Sequence, residues 1–361
     1  MTPSNSTYPT GDTVLEVDDL HVEFPTDDGL VQAVRGVSYQ LNRGEVLGVV
    51  GESGSGKSVT SLAVMGLLPD TARIRGSIRF DGNDLLKAGD KELSRVRGRG
   101  ISMVFQDPMT SLNPVYTVGK QIAEAITAHH DVRRDVAMTQ AVELLDLVHI
   151  PNPKERASAY PHELSGGMRQ RVVIAIAMAN RPDVIIADEP TTALDVTVQA
   201  QILEALQTAQ AETGAAMILI THDLGVIAGQ ADRVQVMYAG KVVEQGTSDE
   251  VFYSPRMPYT LGLLGSLPRL DVRTERLTPI EGSPPSVVNM PPGCPFSPRC
   301  PLAQDVCEEE EPALESGAMA RHLAACHFSS RVEGHTPDEL FRPTATDAGS
   351  LPADASEEKA S

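Results

Sequence analysis

The sequence predicts an α/β fold: a parallel-sheet core, an antiparallel β subdomain, an inserted helical subdomain and a small, irregular, cysteine-rich C-terminal extension. Three observations carry this expectation. Short apolar runs at Val46–Val50, Val184–Ala187 and Met217–Ile220 read as strands buried on both faces, and helical patterns follow or separate them, which implies parallel strands joined by helical crossovers. Near the N-terminus, two stretches alternate apolar and polar residues around a turn. Between Phe105 and Leu164 strand signals vanish and helical spacing takes over.

Residues 1–12, rich in Ser, Thr and Pro, are expected to be disordered. Order begins near Val14. Val14–Phe24 and Val31–Leu41 read as antiparallel edge strands separated by the turn formers Asp27-Asp28-Gly29. Val46–Val50 feeds a glycine-rich segment and then a helix over Ser58–Leu68. In the helical insertion, about 107–164, Val118, Ile122, Ala125 and Ile126, then Ala141, Leu144, Leu145 and Val148, keep one-face spacing. A helix over Val196–Glu212 has Asp195 as N-cap, an apolar face of Val198, Ile202, Ala205 and Leu206, and Gly214 past its end. Val234–Val243 reads as a hairpin turning at Ala239-Gly240. Proline becomes frequent from Pro255, so the main domain is expected to span 13–265. A cysteine-bearing extension follows over 266–330, and a disordered acidic tail over 331–361.

A chain of 361 residues with 41% hydrophobic and 22% charged residues is long enough for a large domain plus a smaller one. Its longest apolar stretch, around Val172–Ala179, is far short of the about 18 residues a membrane helix needs. The first twelve residues hold no apolar signal core, so a membrane span or export signal is not expected. A net charge of −19, part of it in Glu308–Glu311 and the tail, argues against a nucleic-acid partner, whose phosphates need a basic surface.

Gly51-Glu52-Ser53-Gly54-Ser55-Gly56-Lys57-Ser58 joins the strand Val46–Val50 to the helix after it. Glycines let backbone N–H groups turn inward on a phosphate, and the helix N-terminus adds a favourable dipole. Lys57 is placed to reach the β and γ phosphates and Ser58 to ligate Mg²⁺. The core is thus expected to be of the P-loop NTPase type, with ATP and Mg²⁺ as ligands. The strand Val184–Ala187 ends in Asp188-Glu189-Pro190. There Asp188 is assigned to Mg²⁺ and Glu189 to general-base activation of water.

Leu164-Ser165-Gly166-Gly167-Met168-Arg169-Gln170-Arg171 opens a helical run to Asn180 just before the Asp188-Glu189 strand. Ser165 can cap a helix whose N–H groups, bared by Gly166 and Gly167, form a second anion site. This motif resembles the signature of ATP-binding-cassette proteins, with Met168 where Gln is usual. The other family marks follow in order over about Val14–Gly265. Gln106 in Val104-Phe105-Gln106-Asp107-Pro108 matches the Q-loop glutamine, implied as a Mg²⁺ ligand and a link to membrane subunits. Thr192-Ala193-Leu194-Asp195 matches the D-loop, and His222 matches the switch histidine that contacts the γ-phosphate. Phe24 matches the aromatic that stacks on adenine, beside the plainer reading of a strand core residue. Val59 continues the phosphate-loop segment.

The segment Asp107–Pro114 resembles the oligopeptide and dipeptide importer branch, where it helps form the groove for a permease helix. The resemblance implies an ATPase that dimerises head to tail on ATP with a second, similar ATPase. Two transmembrane permeases and an extracytoplasmic substrate-binding protein complete the assembly, with this chain peripheral on the cytoplasmic face of the membrane. Import of another small solute, such as a nickel chelate or a sugar, and a non-transport cassette ATPase acting on DNA or ribosomes are the alternatives. ATPases of that last kind carry long coiled-coil insertions or two cassettes in one chain, and neither is expected in this sequence.

All four cysteines, Cys294, Cys300, Cys307 and Cys326, fall in a segment that resembles the C-terminal extension of the same importer ATPases. Disulfides are disfavoured in a reducing cytosol. Zinc usually takes ligands two to four residues apart, against intervals of five, six and eighteen here. Two Cys-Pro steps favour a [4Fe-4S] cluster, with zinc and unliganded thiols as the alternatives.

Overall fold

A computed structural model of the chain describes residues 13–192, 194–267, 279–286, 288, 290–316 and 321–341. The expectations for residues 1–12 and for the tail beyond 341 lie outside the described residues, as does Ala193 of the D-loop motif.

Among the described residues twelve strands form two sheets. β1 (Thr13–Thr26) and β2 (Gly29–Asn42) pair antiparallel around the turn at residues 27–28; β3 (Val46–Val50) leads into the glycine loop. β4 (Arg73–Phe80) and β5 (Asn83–Asp84) complete a four-stranded sheet of order β2-β1-β4-β5, so β1 lies inside the sheet and, of the first two strands, β2 alone is an edge. That differs from the expectation of two edge strands. β4 supplies the difference by covering the open side of β1, with Ile78 and Phe80 buried.

The larger sheet contains β3, β6 (Ile101–Val104), β7 (Val184–Asp188), β8 (Ala216–Thr221) and β9 (Arg233–Tyr238), all parallel. β10 (Lys241–Thr247) turns back on β9, and β11 (Glu315–Ser316) and β12 (Leu323–Ala324) add two short antiparallel strands beyond it. The order is β11-β12-β10-β9-β3-β8-β7-β6.

Side chains alternate across this sheet, as strand geometry requires. Leu47, Val49, Ile186, Ile218 and Ile220 face the antiparallel sheet, whereas Val50, Ile185, Ala187, Met217 and Leu219 face the helices. Both layers are buried, so the strand ends that carry the functional residues rest on a close-packed base.

Between β6 and β7 the described residues hold helices and no strand, including Val118–Thr127 and Arg134–Leu147, which bury Val118, Ile122, Ile126, Ala141 and Leu145. Ala125 and Leu144 are only half-buried, at the edge of the apolar stripe. The helix after the glycine loop spans Lys57–Val64 and stops short of the expected Leu68, because Gly66 takes φ +61 and the chain reverses there. Val196–Thr213 forms as expected: Asp195 Oδ1 accepts from Val198 N at 3.0 Å, and Gly214 takes φ +70. No helix among the described residues is long and apolar enough to cross a membrane.

The C-terminal extension is joined to the main domain and shares its core. Cys294, Phe296, Cys307 and Ala325 belong to the same apolar cluster as Val50 and Tyr238. β12 pairs with β10, and His322 lies 2.7 Å from Glu244, both buried. Structure also continues past residue 331, where the acidic tail was expected to begin. The helix Pro337–Phe341 packs Phe341 near Gly262 and Ile280, because Phe341 finds an apolar shelf beside the helix Pro258–Gly265.

Candidate functional site

β3 is buried along its whole length and delivers the chain to the glycine loop at the carboxyl edge of the parallel strands, where ligands gather in open α/β sheets. The loop is shaped by close approach. A Cβ on Gly51 would sit 2.2 Å from Met237 O, and one on Gly56, which takes φ +99, would sit 2.5 Å from Ala33 O. The β9–β10 turn closes on the loop as Gly240 N donates to Ser55 O at 3.1 Å.

Lys57 is 4% exposed, and its Nζ donates to Gly51 O at 2.7 Å and Glu52 O at 3.0 Å. Burial lowers its pKa, opposed by Glu189, Asp188 and Glu52. Ser58 Oγ donates to Asp188 Oδ1 at 2.9 Å, so two of the three side chains assigned to Mg²⁺ meet, although they are 130 residues apart. Asp188 ends β7, and burial raises its carboxyl pKa despite the Ser58 hydrogen bond.

The next residue gathers the remaining candidates. Glu189 takes φ +45, a conformation that costs a non-glycine residue about 1–3 kcal/mol and is characteristic of functional positions. Its N–H donates to Ile220 O at 2.9 Å, which fixes the turn against β8. Glu189 Oε2 accepts from Gln106 Nε2 at 3.1 Å and from Thr192 Oγ1 at 2.9 Å, and His222 Nδ1 lies 3.4 Å away. Oε1 is 3.9 Å from Lys57 Nζ. Gln106 follows β6, His222 follows β8 and Glu189 follows β7, so three parallel strand ends bring two side chains onto the carboxylate of a third.

Lys57, Ser58, Gln106, Glu189 and His222 line an open cleft of about 820 Å³ together with Phe24, Ser53, Gly54, Ser55, Gly56 and Val59. That is large enough for a nucleotide. Ser55 Oγ is buried without a protein partner, a hydroxyl free to meet an anion. Phe24 is half-buried at the end of β1 and faces the cleft.

The signature residues lie elsewhere. Ser165 caps the helix Gly166–Met178, its Oγ accepting from Met168 N at 3.3 Å. Ser165 and Gly166 are exposed, while Gly167 packs on Val198 next to the Asp195-capped helix. Ser165, Gly166, Gly167, Met168 and Asp195 are not among the residues that line the cleft. Three participants were not singled out from the sequence: Thr192 on Glu189, and Tyr259 and Arg299 on Glu52. Thr192 sits three residues past Glu189, inside a motif noted for other reasons; the other two are distant in sequence and left no local signal.

The four cysteines are free thiols around one small apolar cavity that also touches Met257, Leu302 and Phe328. Burial pushes Cys300 up to about 12 and Cys326 up to about 11, and raises Cys294. Among the described residues no group of three or more His, Cys, Asp or Glu converges to hold a metal ion.

Two family models match the chain: ABC transporter over residues 34–192, and oligopeptide/dipeptide transporter, C-terminal region, over 243–307. The oligopeptide transport ATP-binding protein OppD of Mycobacterium tuberculosis is 57% identical over 331 residues, covering 91% of this chain and 54% of the relative. The chain thus spans about half the length of that relative. It matches the dipeptide transport ATP-binding protein DppD of Bacillus subtilis more fully, with 55% identity over 89% of this chain and 96% of the relative. Among solved structures, the dimeric post-hydrolysis ATP-binding cassette MJ0796 bound to ADP and Pi aligns with TM-score 0.58 and 27% identity, over 65% of this chain and 98% of that one.

Proposed function

The chain belongs to the ABC transporter ATPases, in their oligopeptide and dipeptide branch, and on that premise we propose that it binds and hydrolyses ATP to drive peptide import through separate permease subunits. One observation carries the reading: Glu189 meets Gln106, Thr192, His222 and Lys57 at the mouth of the phosphate loop. Lys57 and the loop N–H groups bind the β and γ phosphates, and Ser55 Oγ gives them a further donor. Phe24 stacks on the adenine. Glu189 accepts the proton of the attacking water while Gln106 and Thr192 hold its carboxylate in place. His222, more than half exposed at the rim, contacts the γ-phosphate.

The donor set fits Mg²⁺. Ser58 Oγ and Asp188 Oδ1 would hold it with Gln106, and the buried Asp188 carboxylate gains from a cation. When bound, the ion offsets the charge of the phosphate oxygens.

The exposed N-terminus of the helix Gly166–Met178, capped by Ser165, serves as the second anion site for a nucleotide held by another ATPase subunit. We assign Met168, Gly166, Gly167 and Asp195 to the same nucleotide contact. ATP then joins the two subunits head to tail, and their motion is passed to two permeases fed by an extracytoplasmic binding protein. The chain is peripheral on the cytoplasmic face of the membrane. In liposomes carrying the permease partners and binding protein, phosphate release should rise on adding a dipeptide or short oligopeptide and not a sugar or nickel chelate. Stimulation by one of the latter alone would overturn the peptide reading.

We propose that Cys294, Cys300, Cys307 and Cys326, which line one small apolar cavity, hold a [4Fe-4S] cluster. The Phe328 N–H donates to Cys326 Sγ at 3.4 Å, a backbone contact of the kind that tunes cluster sulfurs. Such a cluster would supply the positive charge that keeps the thiolates ionised. About four irons and four sulfides per chain in anaerobically purified protein is the expected content; absence of iron would remove the assignment.

A further inference from the structure

Glu52, the second residue of the phosphate loop, is held by side chains more than 200 residues away. Its N–H donates to Tyr259 Oη at 2.8 Å. Its carboxylate receives a two-pronged pair from Arg299, Nη1 to Oε2 at 2.7 Å and Nη2 to Oε1 at 2.9 Å. The Arg299 side chain is 4% exposed. Its Nη1 also donates to Tyr238 Oη at 3.2 Å and its Nε to Glu281 O at 3.0 Å, and the guanidinium carbon lies 5.8 Å from the centre of the Phe296 ring. A planar fork so enclosed has one productive orientation.

Arg299 ends the short 3-10 turn Ser297–Arg299 and directly precedes Cys300, so the phosphate loop is tied to the segment that carries the cysteines. The charge arrangement gives the tie a purpose. Glu52 is one of three acids whose field reaches Lys57, and an unpaired carboxylate on this loop would repel an incoming triphosphate and compete for Lys57.

Resting on the reading that the cleft binds ATP, we propose that Arg299 is a positioning residue for the phosphate loop. It neutralises Glu52 and fixes its direction, so the cysteine-bearing segment sets the affinity for nucleotide. The link acts on binding more than on turnover, because Arg299 touches neither Glu189 nor the phosphate-facing side of Lys57.

Equilibrium MgATP binding and steady-state phosphate release by the full chain test this. Arg299→Gln should weaken MgATP binding about tenfold, with kcat at saturating ATP changed less than about threefold. Glu52→Gln/Arg299→Gln should return to within about threefold of the wild-type Kd, because the carboxylate that needed neutralising is gone. Arg299→Lys, which keeps charge without the fork, should fall between wild type and Arg299→Gln. Unchanged binding by Arg299→Gln, or a double variant as weak as the single one, would overturn the proposal; the second result would mean that packing, not charge, supports the loop. No MgATP binding by the wild type would overturn the reading of the cleft, and this inference with it.

Discussion

Replacing Glu189 by Gln removes one charge and one proton acceptor while leaving the shape of the site nearly unchanged. The oxygen that accepts from Gln106 at 3.1 Å and Thr192 at 2.9 Å can persist as an amide oxygen, so the left-handed turn at this position and its bond to Ile220 should survive. What is lost is basicity. Positioned general bases contribute about 10²–10⁴ in rate, so kcat should fall by that factor, or about 3–5 kcal/mol of barrier. Binding should move the other way. A carboxylate about 5 Å from a phosphate charge repels it by about 3 kcal/mol at an effective dielectric of about 20, an amount that Lys57 and a bound cation largely offset. ATP affinity should hold or tighten. Phosphate release under saturating MgATP, with nucleotide binding measured on the same samples, separates the two effects. Turnover within about threefold of wild type would refute the general-base role, and weakened binding would refute the charge argument.

Phe296→Ala empties a side chain 1% exposed that packs edge-on against Tyr238 and Tyr259, both at 5.4 Å between ring centres. A loss of about 3–5 kcal/mol in urea unfolding is expected, and under 1 kcal/mol would mean the extension packs otherwise. The raised pKa of Asp188 gives a pH dependence of definite sign. Its carboxylate must be ionised to hold Mg²⁺, so as pH falls, Mg²⁺-dependent ATP binding should fade at higher pH than an ordinary aspartate would give. The same shift means ionised Asp188 costs folding stability, a cost that appears as pH rises through its folded pKa; Asp188→Asn should therefore melt higher than wild type at pH 8 without Mg²⁺. A lower melting temperature would contradict that sign.

Features written in contiguous residues were legible in the sequence. The run Val46–Val50, the glycine loop and Lys57-Ser58 are adjacent, and so are the strand and the acids at Asp188-Glu189; each unit carries its strand, turn and chemistry within a few positions. The Asp195 cap and Gly214 likewise fixed one helix from both ends. β4 was not anticipated because its eight residues include three arginines and bury only Ile78 and Phe80. β11 and β12 are two residues each, too short for periodicity, and exist only because β10 offers an edge. The same limit hid Arg299: its partner lies 247 residues away, and a single arginine among prolines announces nothing. Function-bearing loops were readable, while the supports that hold them rigid came from tertiary packing.

The most direct test of the central claim is steady-state phosphate release from MgATP by the wild-type chain beside Lys57→Ala. Lys57 is buried beneath the loop, and its part in the account is to bind the phosphates. Measurable release by the wild type, lost to background in Lys57→Ala together with weakened ATP binding, is the expected result. Equal release by the two proteins, or a wild type that does not bind MgATP, would contradict the assignment of this cleft as the ATPase site.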